Sequence, residues 1–266
     1  MIIDAHAHIG SWPTLKESEY EIVESNKKYK ISFTLLSDCD CSEFPSTHKY
    51  PAHIVSQEFG LRKVLQFVKH DPKHFGAAVW INPHNQTVTD ELKDLIKKNR
   101  EYIYALKMHP FESHLRITSP RMKPYLELAR EFQLPILVHT AQDKYSDVRF
   151  LGMVARANPD LTFIAAHLQL CSDNQAAIEE MKVTPNLYAD TAWVDMKKAK
   201  KVLLEIGENR IMFGTDNPID GLDTLNNPMY QAYYRNKVKL PGHLYSNLMW
   251  RNAATVYKLP VKEKKA

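Results

Sequence analysis

His6 and His8 flank a single alanine at the end of the first apolar run of this 266-residue chain, Ile2-Ile9. A spacing of two puts both imidazoles on one face of an extended strand, where they can share one metal ion. Four further apolar runs also end in residues that ligate or titrate: Lys107-Met108-His109, His139, His167 and Asp216. Any one of these alone reads as a satisfied polar residue at a strand end. With His109 set aside, they place four histidines, a lysine and an aspartate at five strand ends, and burying so many titratable groups is costly unless each has a partner. A divalent cation supplies that partner. Nitrogen ligands with a carboxylate and no available thiolate favour Zn²⁺, with Mn²⁺ or Fe²⁺ as alternatives.

The elements that must carry these residues follow from the hydrophobic pattern. Eight short runs recur along the chain: Ile2-Ile9, Ile31-Leu36, Phe75-Ile81, Ile103-Met108, Pro135-His139, Leu161-Leu168, Asn186-Thr191 and Arg210-Thr215. They are apolar on successive residues rather than on alternate ones, as parallel strands covered on both faces are. The stretches between them have helical periodicity. Thr87 with Asp90 predicts a capping box ahead of Val88, Leu92, Leu95 and Ile96, Ser119-Pro120 opens another helix, and Ser146 starts a third that Asn158-Pro159 stops. Val202, Leu203 and Ile206 form the inner stripe of a helix ended by Gly207. Alternation of strand and helix with this count predicts an α/β chain folded as a (β/α)₈ TIM barrel, whose active site sits at the carboxyl ends of the strands. The stretch 38–74, with Pro45 and Pro51, is longer than one helix needs and predicts a loop over the barrel mouth. Residues from Asp223 onward predict a C-terminal helical cap. One domain, 1–260, and a polar tail, 261–266, account for the chain.

Composition removes several function classes. The 8 glycines lie no closer than seven positions apart, which excludes the clustered glycines of a dinucleotide fingerprint or a P-loop. A net charge of +4, spread along the chain, argues against nucleic acid. No apolar run reaches the roughly 18 residues of a membrane span, and no leader pattern opens the chain. Cys39, Cys41 and Cys171 form no paired framework, and Cys39 and Cys41 read as a strand end entering a loop, so a reducing cytoplasm is the expected location. The expected partner is a small-molecule substrate, with a homodimer allowed.

Six motifs in order give the chain a resemblance. Ile3-Asp4-Ala5-His6-Ala7-His8, Ala105-Leu106-Lys107-Met108-His109-Pro110, Ile136-Leu137-Val138-His139-Thr140, Phe163-Ile164-Ala165-Ala166-His167, Leu187-Tyr188-Ala189-Asp190-Thr191 and Phe213-Gly214-Thr215-Asp216-Asn217-Pro218 together resemble the amidohydrolase superfamily, in its amidohydrolase-2 branch of metal-dependent hydrolases and aminocarboxymuconate-semialdehyde-type decarboxylases. The resemblance implies a distorted (β/α)₈ TIM barrel with metal held by His6, His8, His139 and Asp216. It also implies that His167 binds a second metal or hydrogen-bonds the metal's water, and that Lys107, in binuclear relatives, is carboxylated and bridges two metals. One metal and two are both open. The chain departs from many relatives in having no glycine soon after His167.

A bound divalent ion lowers the pKa of its water from ~15.7 to about 7 and polarises a carbonyl. In that chemistry Asp216 is the expected general base, and His167 stabilises the oxyanion or holds the nucleophile. The expected activity is hydrolysis of a small ester, lactone, amide or related carbon–nitrogen bond. Nonoxidative decarboxylation of a small carboxylate is the alternative, a TatD-like nuclease is a third reading, and a noncatalytic binding protein a fourth. Trp12, His109, Trp193 and Asn217 are expected around the substrate. Asp190 is expected to orient a neighbouring ligand or cap a turn, and Met229, Tyr230, Tyr233 and Tyr234 to pack the C-terminal cap.

Overall fold

The computed structural model describes residues 1–11, 18–44, 55–221 and 223–261. Among them, eight parallel strands form one sheet in chain order: β1 (Ile3–Ile9), β2 (Phe33–Asp38), β3 (Phe75–Trp80), β4 (Ile103–Met108), β5 (Ile136–Ala141), β6 (Phe163–Leu170), β7 (Leu187–Asp190) and β8 (Ile211–Met212). Helices α1 (Ser18–Tyr29), α2 (Gln57–His70), α3 (Asp90–Lys98), α4 (Lys123–Phe132), α5 (Val148–Ala157), α6 (Gln175–Val183) and α7 (Met196–Glu205) fill the connections. Strands β1 to β5 are buried at every position, as their unbroken apolar runs require.

β8 is regular over two residues rather than the expected six, because Phe213 N turns away to the carbonyl of Leu248. The following segment lies along β1 instead. Ala5 N donates to Phe213 O, Thr215 N and Asp216 N both donate to His6 O, and His8 N donates to Asn217 O. These bonds close the ring, so the architecture is the (β/α)₈ barrel that the strand count predicts, distorted as the family resemblance implies.

Two cores result. An outer one packs strands against helices, and an inner one fills the barrel with Ile3, Ala5, Phe33, Leu35, Ala78, Ala105, Leu137, Ile164, Ala166 and Met212. Pairing of β1 with β2 shifts register between Asp4 and Ala7. This shift flips the strand's parity. Ile3 and Ala5 belong to the inner core and Ala7 and Ile9 to the outer one, so His6 and His8, alternating with Ala7 and Ile9, face inward.

Two helix starts differ from expectation. α3 is capped by Thr89, whose side chain accepts from Leu92 N, while Thr87 O is taken by Gln57 Nε2 at 2.7 Å. α5 is capped by Asp147, whose side chain accepts from Arg149 N, while Ser146 N is held by Asp143 Oδ1 in the preceding turn. Ser119 caps as expected, although the first turn, Pro120–Met122, is 3₁₀ before α4 begins. Cys39–Cys41 form a 3₁₀ turn directly after β2. Beyond it, Ser42 and Phe44 are tied to Glu112 in the loop after β4; Pro45 and Pro51 lie outside the described residues.

The C-terminal region divides in two. It comprises α8 (Pro228–Tyr234), α9 (Gly242–Ser246), a π turn (Asn247–Arg251) and α10 (Asn252–Val256). Ala253, Tyr257 and Leu259 join Ile3, Phe33 and Leu137 in the inner core and seal the end of the barrel where the strands begin. α8 lies at the opposite end, where Tyr230 and Tyr233 are buried against Phe213.

Candidate metal centre

The strand ends deliver six of the predicted side chains to one buried place. His6, His8, Lys107 and His167 are at most 3% exposed, and His139 and Asp216 are 9% exposed. His6 Nδ1 lies 2.8 Å from Asp190 Oδ2. A carboxylate only accepts, so Nδ1 carries the proton and Nε2 is a lone pair. His8 Nδ1 meets Ser37 Oγ at 3.0 Å, and since a hydroxyl donates or accepts, both tautomers of His8 are satisfied there.

The other edges of the two rings converge. His6 Nε2 and His8 Nε2 are 3.2 Å apart, and Asp216 Oδ1 lies 3.3 Å from the first and 2.9 Å from the second. Metal–ligand bonds of roughly 2.0–2.1 Å in a tetrahedron put ligand atoms roughly 3.3 Å apart. The triangle already has those dimensions. Burial, and Lys107 nearby, hold His6 well below the ordinary imidazole range, and burial lowers His8 as well. Neutral nitrogens are the form that ligates metal. Burial works against an ionised Asp216, but its bond to His8 and the surrounding histidines pull it well below the usual carboxylate range. Two neutral imidazoles and a carboxylate fit Zn²⁺, Mn²⁺ or Fe²⁺.

Lys107 Nζ sits 2.7 Å from His6 Nε2. Burial brings this amine down to about 8, against the attraction of Asp216 and Asp190. Such an amine is neutral part of the time near neutral pH, the state in which it can take up CO₂ or yield to a metal. Asp190 performs both of the roles expected of it: Oδ2 accepts from His6, and Oδ1 accepts from the backbone N–H groups of His167 and Ala192 at 2.9 and 3.0 Å. His167 Nδ1 donates to Ala192 O at 3.2 Å, which leaves its Nε2 an acceptor, and burial lowers its pKa to about 4. The missing glycine after His167 is replaced by left-handed backbone at His167, Leu168 and Gln169. Gln169 N bonded to Thr140 Oγ1 and Asn174 Nδ2 bonded to Leu168 O hold that segment.

A cavity of about 230 Å³ opens onto the centre, walled by Cys39, Trp80, His109, Phe111, Glu112, His139 and Ile219 together with His8, Lys107, His167 and Asp216. His139 lines this cavity but stands apart from the tight triangle, its ring stacked 3.8 Å from that of His109. His109 Nδ1 accepts from Glu112 N, so its Nε2 is the donor. Trp193, expected around the substrate, donates its indole Nε1 to Asp216 Oδ2 at 2.9 Å. Asn217 closes the barrel through its carbonyl, and its side-chain Oδ1 is buried without a hydrogen-bond partner. Trp12 lies outside the described residues. Gly214 is the glycine at the chemistry, since a methyl there would stand 3.1 Å from His6 Cβ and 3.3 Å from Asp190 Cβ.

Ser37 and Asp4 carry functional contacts that strand-end reading misses. Ser37 faces His8 through the β1–β2 register, and Asp4 holds Thr215 by both its N–H and its hydroxyl while accepting from His6 N. Burial raises Asp4 to about 7 despite those bonds. Asp4 and Thr215 lie in the two motifs that carry the ligands, which is the only sign of them along the chain.

The amidohydrolase family model matches residues 3–259. The chain belongs to the amidohydrolase family, in its amidohydrolase-2 branch. No curated protein matches the sequence. Among solved structures, this amidohydrolase is similar to an uncharacterised TIM-barrel protein from Bordetella bronchiseptica, with 16% identity, 90% of this chain and 82% of that one covered, and a TM-score of 0.65. It is also similar to a candidate 2-pyrone-4,6-dicarboxylic acid hydrolase from Pseudomonas putida, with 14% identity, 98% of each chain covered and a TM-score of 0.70. A 5-carboxyvanillate decarboxylase from Novosphingobium aromaticivorans, complexed with manganese and 4-hydroxy-3-methoxy-5-nitrobenzoic acid, has 10% identity, 97% and 96% coverage and a TM-score of 0.69. At these identities the likeness is one of fold. No helix among the described residues is long and apolar enough to cross a membrane.

Proposed function

We propose that this amidohydrolase is a divalent-metal-dependent enzyme that hydrolyses a small ester, lactone, amide or related carbon–nitrogen bond. The observation that carries the reading is the triangle of His6 Nε2, His8 Nε2 and Asp216 Oδ1, with no two atoms more than 3.3 Å apart. His6, His8 and Asp216 would hold the ion, with His139 or Lys107 completing its shell. When bound, the ion supplies Lewis acidity to a substrate oxygen and acidifies water.

The protein's own groups then divide the work. Asp216 is the general base: Trp193 donates to its Oδ2, and Oδ1, which would also hold the ion, takes the proton from water on its remaining lone pair and returns it to the leaving group. His167, with Nδ1–H committed to Ala192 O, offers an acceptor and holds the attacking water rather than stabilising an oxyanion. His109 Nε2–H orients the substrate. The cavity of about 230 Å³ limits the substrate to a small molecule.

Decarboxylation is the second reading, favoured by the manganese-bound decarboxylase whose fold matches as well as that of the candidate lactone hydrolase. A panel of lactones and small amides, run beside CO₂ release from aromatic carboxylates, separates the two. Turnover of lactones that ceases with chelator and in Asp216→Asn supports hydrolysis, whereas CO₂ release with no lactone turnover assigns decarboxylation.

A further inference from the structure

The two residues that meet at the outer oxygen of the proposed base both have left-handed backbone, Trp193 with φ 58° and Asp216 with φ 63°. Neither is glycine, so each conformation must be held by its surroundings. One phenol touches both turns. Tyr230 Oη accepts from Trp193 N at 2.8 Å and donates to Thr215 O at 2.7 Å, the carbonyl directly before Asp216. Tyr230 is fully buried, and its ring meets that of Trp193 edge to face at 5.8 Å.

We infer that Tyr230 is a positioning residue for Asp216: by clamping the two left-handed turns, it holds the Trp193 indole on Asp216 Oδ2 and so leaves Oδ1 alone to face His6 and His8. The inference rests on the proposed metal centre only in its consequence for metal affinity. Its geometric part, the Trp193–Asp216 contact, stands without metal. A generic packing role is separable because Tyr233, on the same helix and equally buried, donates to Val194 O at 2.8 Å in the same loop but bonds neither Thr215 nor Trp193.

The experiment compares wild type, Tyr230→Phe, Tyr233→Phe and Trp193→Phe as full-length chains. The first readout is hydrogen exchange of the Trp193 indole N–H in the metal-free protein, its resonance assigned by the peak that Trp193→Phe removes among the 4 tryptophans. The second is Zn²⁺ affinity by competition with a chromophoric chelator. Tyr230→Phe is expected to speed indole exchange at least tenfold and to weaken Zn²⁺ about tenfold, the scale for residues that orient ligands from outside the shell, while Tyr233→Phe changes neither by more than twofold. Trp193→Phe is expected to weaken Zn²⁺ by the same factor. Indole exchange in Tyr230→Phe within twofold of wild type, or equal acceleration in Tyr233→Phe, overturns the inference. Should Tyr230→Phe not fold, unchanged Zn²⁺ affinity in Trp193→Phe overturns it. A wild type that takes up no Zn²⁺ contradicts the metal centre instead, and indole exchange still decides the role of Tyr230.

Discussion

Asp216 works through both oxygens: Oδ1 points at His8 Nε2 and Oδ2 at the Trp193 indole. Asp216→Asn keeps the shape and both contacts but loses the base and the negative charge, so it should remain folded by circular dichroism while turnover falls by at least 10²-fold. Near-normal turnover would remove the assigned role. Asp190 acts one step out. Because it fixes the His6 tautomer, Asp190→Asn should weaken metal binding by roughly 10–100-fold in a chelator competition, and unchanged affinity would show that His6 needs no such partner. The candidate ligands were legible along the chain, since His6, His8, Lys107, His139, His167 and Asp216 each lie at or just beyond the end of an apolar run. Their supports were not. Ser37 reaches His8 through the β1–β2 register, and Trp193 reaches Asp216 through two left-handed turns. Neither strand register nor left-handed backbone at a non-glycine residue has a local sequence signal.

The turn after β2 shows how closely elements approach near the site. A methyl on Gly60 of α2 would stand 2.0 Å from Cys41 Sγ. Gly60→Ala should therefore destabilise by about 1–3 kcal/mol in urea unfolding, and Cys41→Ala in the same chain should recover most of that loss; a double variant no better than the single would refute the contact. Asp38, which caps that turn, is raised to about 7 by burial, against the pull of Lys63 and with the push of Asp40. A carboxyl that holds its proton more tightly when folded contributes stability that is whole below its unfolded pKa of 3.8 and is lost as pH rises through about 7. Between pH 4 and 7 the wild type should lose roughly 1–3 kcal/mol more than Asp38→Asn. Parallel curves for the two proteins would count against it. Element types were well marked in the sequence, because continuous apolar runs and 3.6-residue stripes survive any tertiary context. Element ends were less so. Thr89 rather than Thr87, and Asp147 rather than Ser146, cap their helices, while the backbones of Thr87 and Ser146 are tied to the side chains of Gln57 and Asp143.

At the scale of the whole molecule, eight strands were countable in the sequence, and the barrel closes as that count requires. The C-terminal region was readable only as helical. Its division, with α8 at the mouth and α10 sealing the other end, depends on which core each apolar face finds. The mouth end is the one that matters to chemistry, because Tyr230 there joins the turns after β7 and β8. Barrel, closure and cap together bring one carboxylate and two imidazoles into a triangle with the spacing of ligand atoms around a single ion. The most direct test is elemental analysis of protein purified without chelator, beside a His6→Ala/His8→Ala variant. One or two equivalents of a transition metal per chain in the wild type, with little or none in a folded variant, is the predicted result. A wild type that carries no such metal and takes up neither Zn²⁺ nor Mn²⁺ would contradict it.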